Sequence, residues 1–476
     1  MGKNSSELWK LDACDSAALI RSREISSRDL VQAVLARIEA VDNKIHAYTE
    51  VRPEEALQAA DAADSALAVG AELGPLHGVP VSIKLNVDQL GYATDRGVEA
   101  YKHNFAKGDN PVVQNLRASG AVLLGRTNAP AYLMRWFTDN ELHGATHNPL
   151  NPDLTPGGSS GGASAAVAAG MGAIALGNDV AGSIRYPAYC CGIFGIKPST
   201  GRIPSANATS AAAYPVAGQL MAVQGPLTRS VRDLELALRV MSRPAAGDPY
   251  FVPAKDYGDV MARRRAAVAL PNASADPAVN QALEVAAFQL HEAGYEVERL
   301  DPPRFVEAGK VWAKISMGDI LAQLQPLINA NGDRFIRRAI ALWREVLPPG
   351  DAHDTLQGLY ERDSLLRAWL GFLETWQVSI LPVSWQLPFA PGDDVKDAET
   401  TARILEAQAP LMAISALGLP AVSVPLGGTE SVPCGVQIVG GQFREDLCLA
   451  AARVLEAAQP KRTPTLHPTY KSGGAR

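Results

Sequence analysis

Hydrophobic positions along this chain recur at two periods that alternate. Leu30, Val31, Val34, Leu35 and Ile38 fall at helical spacing behind Ser26 and Ser27, two residues suited to cap a helix start. Residues 79–84 form a short apolar run that ends in Lys84, which predicts a buried strand. A helix over 112–119 and a strand over 121–124 follow, and 173–176 repeats the strand signal. Between them, 148–162 is crowded with Asn, Pro, Gly and Ser and predicts irregular backbone. Residues 163–171 form an alanine-rich helix whose small side chains let neighbouring backbone approach closely. The proline-bearing stretch 243–257 is a connection. From 305 to 376 helical patterns dominate and carry Trp312, Trp343, Trp369 and Trp376, with Trp385 just beyond. Strand runs return at 378–381, 421–425 and 436–439, then a helix over 445–458 and a polar tail expected to be loosely held. This alternation predicts an α/β layered fold, and no fixed-period repeat interrupts it.

Composition narrows the class. The 476 residues are 47% hydrophobic and 20% charged, enough for a large core. A formal charge of −6 and a pI near 5.8 supply no basic face for nucleic acid. Cys14, Cys190, Cys191, Cys434 and Cys448 form neither a CxxC pair nor a disulfide ladder, which fits a reducing compartment. Residues 1–10 carry no apolar signal core. The apolar part of the charge-poor stretch 154–178 falls short of the ~20 residues that span a bilayer. A cytoplasmic protein with neither a nucleic-acid nor a membrane partner is expected.

The densest chemical signal is Pro156-Gly-Gly-Ser-Ser-Gly-Gly162. A phosphate loop would close on Gly-Lys-Ser/Thr, and no lysine follows. A nucleophile elbow needs an apolar strand just before its serine, whereas Asn151-Pro-Asp-Leu-Thr-Pro156 cannot pair as a central strand. A plain flexible loop is the bland alternative, although such loops seldom lead straight into an alanine helix. A second cluster, Gly177-Asn-Asp-Val-Ala-Gly-Ser183-Ile-Arg185, starts where the 173–176 strand ends. Small residues before Ser183 leave unobstructed backbone N–H groups, the donors a tetrahedral oxyanion requires. Asp179 and Arg185 bracket that turn and are placed to pair. His143 and His147 stand four apart, yet Gly144 and Asn148-Pro149 make their segment a loop without companion ligands, so no metal is expected.

Taken together, these runs resemble the amidase signature family. The resemblance runs from Gly157 to Pro198, ending Cys191-Gly-Ile-Phe-Gly-Ile-Lys-Pro198. It extends upstream through Gly74-Pro-Leu-His-Gly-Val-Pro-Val-Ser-Ile-Lys84, Gly125-Arg-Thr-Asn-Ala-Pro130 and Gly144-Ala-Thr-His-Asn-Pro149, and downstream through Gly225-Pro-Leu-Thr228 and Gly418-Leu-Pro-Ala421. It implies one domain over 1–476, with a large mixed central sheet covered by helices on both faces. The core is expected at about 60–240 and 376–458, with a variable helical substrate-side region at about 258–375.

The resemblance also implies a serine amidohydrolase that cleaves carbonyl C–N bonds in amides, aryl amides and carbamates, and also esters. Ser183 is then the nucleophile, Ser159 the proton relay and Lys84 the base, with a cis peptide at Gly158–Ser159. The N–H groups of Val180, Ala181, Gly182 and Ser183 form the oxyanion hole, and Gly158, Ser160, Asp179 and Arg185 support the site. No cofactor is implied; the partner is a small-molecule amide or carbamate, and a homodimer stays open. A base near neutral pH must lose a proton against an ordinary lysine pKa of about 10.4, and burial lowers a lysine by about 3–5 units. The apolar approach 79–83 suits that burial.

Tyr132, Met134, Trp136, Phe137 and Tyr214 suggest a pocket that accepts an aryl group, although aromatics at such spacing serve equally as core. Three positions depart from the family pattern: Leu85 replaces the acid after the lysine, Ala181 the first glycine before the nucleophile, and Ala131 an acid after the Asn-x-Pro turn. Two alternatives stand beside this reading. One is the amidotransferase component that works on charged tRNA, which the stretch 205–220 does not resemble; the other is a catalytically inactive binding relative, prompted by Leu85 and Ala181.

Overall fold

The helix read from residues 30–38 runs from Ser27 to Ile45 in the computed structural model, which describes residues 5–210, 215–245, 247–254 and 264–471. Ser26 caps it by accepting the Asp29 N–H at 2.9 Å, and its apolar stripe, including Leu30, Val31, Val34 and Ile38, is buried. The first strands are β1 (Tyr48–Val51), β2 (Pro80–Lys84), β3 (Val122–Thr127), β4 (Ile174–Asp179), β5 (Phe194–Lys197) and β6 (Val223–Thr228). The later ones are β7 (Arg265–Val268), β8 (Glu296–Arg299), β9 (Val378–Pro382), β10 (Ala421–Gly428) and β11 (Pro433–Gly440). All eleven join one mixed sheet, ordered β1-β3-β2-β4-β6-β5-β10-β11-β9-β7-β8.

Alternation of side chains along the strands feeds two separate apolar cores. Leu123 and Leu176 pack in one, Val122, Leu124 and Ala175 in the other, as the two-residue period of a strand requires. Helices cover both. The decisive feature for chemistry is that β2 pairs in parallel with both β3 and β4. Their carboxyl ends therefore lie side by side, and Lys84 at the end of β2 reaches the turn that leaves β4.

Two expectations change. The region 258–375 is not wholly helical: β7, the helix Pro277–Glu292 and β8 extend the main sheet at one edge before the helices Phe305–Asn331, Arg334–Val346 and Ala352–Thr375 begin. Short strands with few apolar residues give little signal before their neighbours are known. The tail from 460 to 471 is docked. Arg462 donates to the Gly192 and Pro425 carbonyls, Thr465 N–H to Ala168 O at 3.0 Å and His467 N–H to Pro149 O at 2.7 Å. All five cysteines are free thiols, and among the described residues no helix is long and apolar enough to cross a membrane.

Candidate active site

Lys84 enters the interior because the strand that carries it is buried at every position. Its Nζ lies 2.7 Å from Ser159 Oγ, 3.0 Å from Ser160 Oγ and 2.7 Å from Asn178 Oδ1. All three partners are neutral oxygens. Burial, only partly offset by the charge of Asp179, pushes the lysine well below its ordinary range.

Ser159 and Ser160 sit just before the buried helix Gly161–Ala168, which packs beneath them against β4. The Gly158–Ser159 peptide is cis. A Cβ on Gly158 would lie 2.5 Å from the Phe137 backbone nitrogen, so the close approach of these two segments requires glycine. Ser160 N–H donates to the Ser183 carbonyl at 3.2 Å, and Ser160 Oγ donates to the Asn178 carbonyl at 3.3 Å. The two serine segments are thereby stitched together.

The turn from Asp179 to Arg185 is tightly braced. Arg185 Nε and Nη2 each lie 3.0 Å from an Asp179 oxygen, and Nη1 donates to Gln437 Oε1 at 2.8 Å. Burial alone would raise the Asp179 carboxyl; Arg185, then Lys197 and the Gly182 N–H, outweigh it and hold it at about 2. Gly182 departs from expectation as a free oxyanion donor, because Asp179 Oδ1 takes its N–H at 2.6 Å. Among the described residues none takes the N–H groups of Val180, Ala181 or Ser183. Three successive carbonyls are held: Val180 O by Trp312 Nε1 and Ala181 O by Trp136 Nε1 from distant segments, and Gly182 O by the Tyr186 N–H within the turn, each at 2.8 Å. Ala181 has no positive φ, so the backbone accepts its methyl.

Ser183 opens into a narrow cavity of about 20 Å³. Its walls are Leu133, Met134, Arg135, Trp136, Val180, Ala181, Trp312 and Trp343. The Trp343 ring lies 5.3 Å from that of Trp136 and 6.4 Å from that of Trp312, centre to centre. Arg135 presents little net charge, since Asp394 binds its Nε at 2.7 Å and its Nη2 at 2.9 Å, and Asp139 also pairs with it. A larger cleft of about 550 Å³ lies elsewhere, among Asp12, Asp15, Arg232 and Lys461, whose charges pair with one another. It holds no member of the serine–lysine group.

Of the residues expected in an aryl pocket, Met134 and Trp136 line the cavity. Phe137 packs in the core, and Tyr132 is buried with its hydroxyl donating to the Leu327 carbonyl at 3.0 Å. Neither forms the wall, because the irregular backbone from 131 to 137 turns their rings away. Tyr214 lies outside the described residues. Trp312 and Trp343 were legible only as tryptophans in a helical stretch, and Asn178 only as part of the glycine-flanked cluster. His143 Nε2 faces Asp95 Oδ2 at 3.0 Å, and the His147 ring lies 5.9 Å from that of His46. Among the described residues no three His, Cys, Asp or Glu side chains gather as a metal site.

The family model described as Amidase matches residues 29–449. The chain is 40% identical to an indoleacetamide hydrolase of Bradyrhizobium diazoefficiens over 94% of its own length and 86% of that protein's. It is 31% identical to a glutamyl-tRNA(Gln) amidotransferase component of Moorella thermoacetica, covering 97% of this chain and 99% of that one. Among solved structures, 6-aminohexanoate cyclic dimer hydrolase in complex with substrate superposes with a TM-score of 0.82 at 29% identity, covering 95% of this chain and 98% of that one.

Proposed function

The chain belongs to the amidase signature family, hydrolases that act on amides, and from that premise we propose that it is a Ser-Ser-Lys amidase for small neutral amides with an aromatic acyl group. The observation that carries this reading is a fully buried lysine 2.7 Å from Ser159 Oγ, on a serine segment that the Ser160 N–H ties to Ser183, which in turn opens into a tryptophan-walled cavity.

A neutral lysine has two N–H donors and one lone pair. Asn178 Oδ1 only accepts and so takes one N–H. Ser160 directs its own proton to the Asn178 carbonyl and takes the second. The lone pair is left facing the Ser159 hydroxyl. As Ser183 Oγ bonds to the substrate carbonyl carbon, its proton passes to Ser159 Oγ, whose own proton passes to Lys84 Nζ. The carbonyl oxygen becomes an oxyanion and meets the N–H groups of Val180, Ala181 and Ser183, which no acceptor among the described residues takes. The Asp179 charge favours the ammonium that forms. Collapse returns the proton through Ser159 to the leaving nitrogen, the C–N bond breaks, and an acyl ester remains on Ser183. Water then attacks that ester by the same relay, releasing the acid.

Burying an aryl ring against these indoles contributes about 2–3 kcal/mol, which favours aryl over acetamide-sized substrates by tens of fold. The similarity to an indoleacetamide hydrolase points the same way. Aryl carbamates and esters present the same carbonyl to Ser183 and belong to the reading. A tRNA-dependent role is less well supported, since a charge of −6 offers no broad basic face. Comparing kcat/KM for acetamide, an arylacetamide, an acetanilide and an aryl carbamate tests the substrate class. The arylacetamide should lead acetamide by tens of fold, and equal or better use of acetamide ends the aryl reading.

A further inference from the structure

We infer that Trp136 and Trp312 are positioning residues for the oxyanion loop, acting through their indole N–H groups and not only as pocket walls. The inference rests on the proposed role of Ser183.

A trans peptide is planar, so the direction of each C=O sets the next N–H on the opposite side. Gly158–Ser159 is the one cis bond recorded among the described residues, so the peptides of this loop are trans. Trp312 holds the Val180 carbonyl at 2.8 Å and thereby aims the Ala181 N–H. Trp136 holds the Ala181 carbonyl at 2.8 Å and turns the Gly182 N–H away, onto Asp179. Tyr186 N–H holds the Gly182 carbonyl and aims the Ser183 N–H. The Asp179 and Tyr186 contacts are local to the turn. The indole contacts come from distant parts of the chain, one from the loop after residue 131 and one from the helix Phe305–Asn331. No backbone N–H among the described residues takes either the Val180 or the Ala181 carbonyl; the Val180–Ala181 plane is held by Trp312, and the Ala181–Gly182 plane by Trp136 at its carbonyl and Asp179 at its N–H. Gly182, at φ +103°, adds no side chain to restrain them. Trp343 packs against both rings and keeps their spacing. Walls that merely shape a pocket have no need to grip two consecutive carbonyls beside the nucleophile.

The test replaces Trp136 and Trp312 singly with phenylalanine and with 3-benzothienylalanine, which keeps the bicyclic shape but has sulfur in place of N–H. Steady-state kinetics on an arylacetamide are paired with two binding measurements. An aryl trifluoromethyl ketone adds to the serine and places an oxyanion in the hole, whereas an arylacetate occupies only the ring site. For the benzothienyl variants kcat should fall about 10- to 100-fold, with KM within about threefold. Ketone affinity should fall by a similar factor, and arylacetate affinity should hold. Wild-type kcat in the benzothienyl variants, or a loss confined to KM, overturns the inference. So does a loss seen with phenylalanine alone, which would make the rings walls and nothing more. A Ser183→Ala control separates the two levels: undiminished turnover there removes the reading beneath, while serine-dependent turnover with unaffected tryptophan variants removes only this inference.

Discussion

Lys84 touches three neutral oxygens and no carboxylate within hydrogen-bond distance, an arrangement that favours the amine over the ammonium. In the proposed mechanism the amine is the working form, so kcat/KM should rise with pH along a limb below the ordinary lysine range, read from a pH–rate profile. Lys84→Ala should lose at least about 100-fold towards an anilide; a mutant equal to wild type would make the lysine structural. Asn178 gives a sharper test. Asn178→Asp puts a carboxylate where a neutral acceptor stood 2.7 Å from Nζ, so it should hold the ammonium and move the acid limb to higher pH. Activity near neutral pH should drop and recover in alkali. Ser183→Ala should abolish turnover while circular dichroism and melting stay as in wild type, because Ser183 lines the cavity and is not packed into the apolar core.

The turn after β4 works as an element because glycine stands where only glycine fits. A Cβ at Gly182 would lie 2.6 Å from Leu411 Cδ1 and 2.8 Å from Leu411 Cβ, at a φ of +103°. Gly182→Ala should cost about 1–3 kcal/mol in denaturant melts and lower kcat as well, since Leu411 and the loop cannot both stay in place. Ala181→Gly, with no strain to relieve, should keep its fold. At the end of β5, burial and the nearby Arg185 lower Lys197 from 10.5 to about 7, with Asp179 opposing. Its folded pKa lies below the unfolded value, so the unfolded chain binds more protons between about pH 7 and 10. This group's contribution to stability therefore rises with pH across that window. Lys197→Met should flatten that part of the melting-temperature profile relative to wild type; an unchanged slope would contradict the assignment.

Across the whole molecule, Arg185 joins the halves of the sheet. It binds Asp179 at the end of β4, Gln437 on β11, and Leu411 O and Ser415 Oγ on the helix Ala409–Leu417, with no exposure to solvent. Removing one partner from such a buried pair leaves an unpaired charge inside, at about 3–5 kcal/mol. Arg185→Ala should lose that much in urea unfolding and lose activity in step, as Asp179 no longer braces Gly182. A mutant with wild-type stability would show that the two halves are held by packing alone.

Local order was open to reading from residues near one another in the chain. The Ser26 cap, the buried strand to Lys84 and the alanine helix each depend on neighbours within a few positions, as do the glycines that let Ser159 and Ser183 sit in tight turns. The family motifs carried the serines and the lysine together for the same reason, since each motif is a short run whose backbone demands are local. Periodicity states that a side chain faces apolar matter, but not which apolar matter. So Tyr132 and Phe137 could not be told from pocket walls, and Trp312 and Trp343 could not be told from core until the helices Phe305–Asn331 and Arg334–Val346 packed over the serine turn. The Gly182 N–H went to Asp179 for a related reason: a donor's direction depends on peptide planes that distant indoles hold. The sequence alone determined which groups are the candidates for the chemistry, and the tertiary structure decided what surrounds them, because facing and hydrogen-bond direction are set by contacts between segments far apart along the chain.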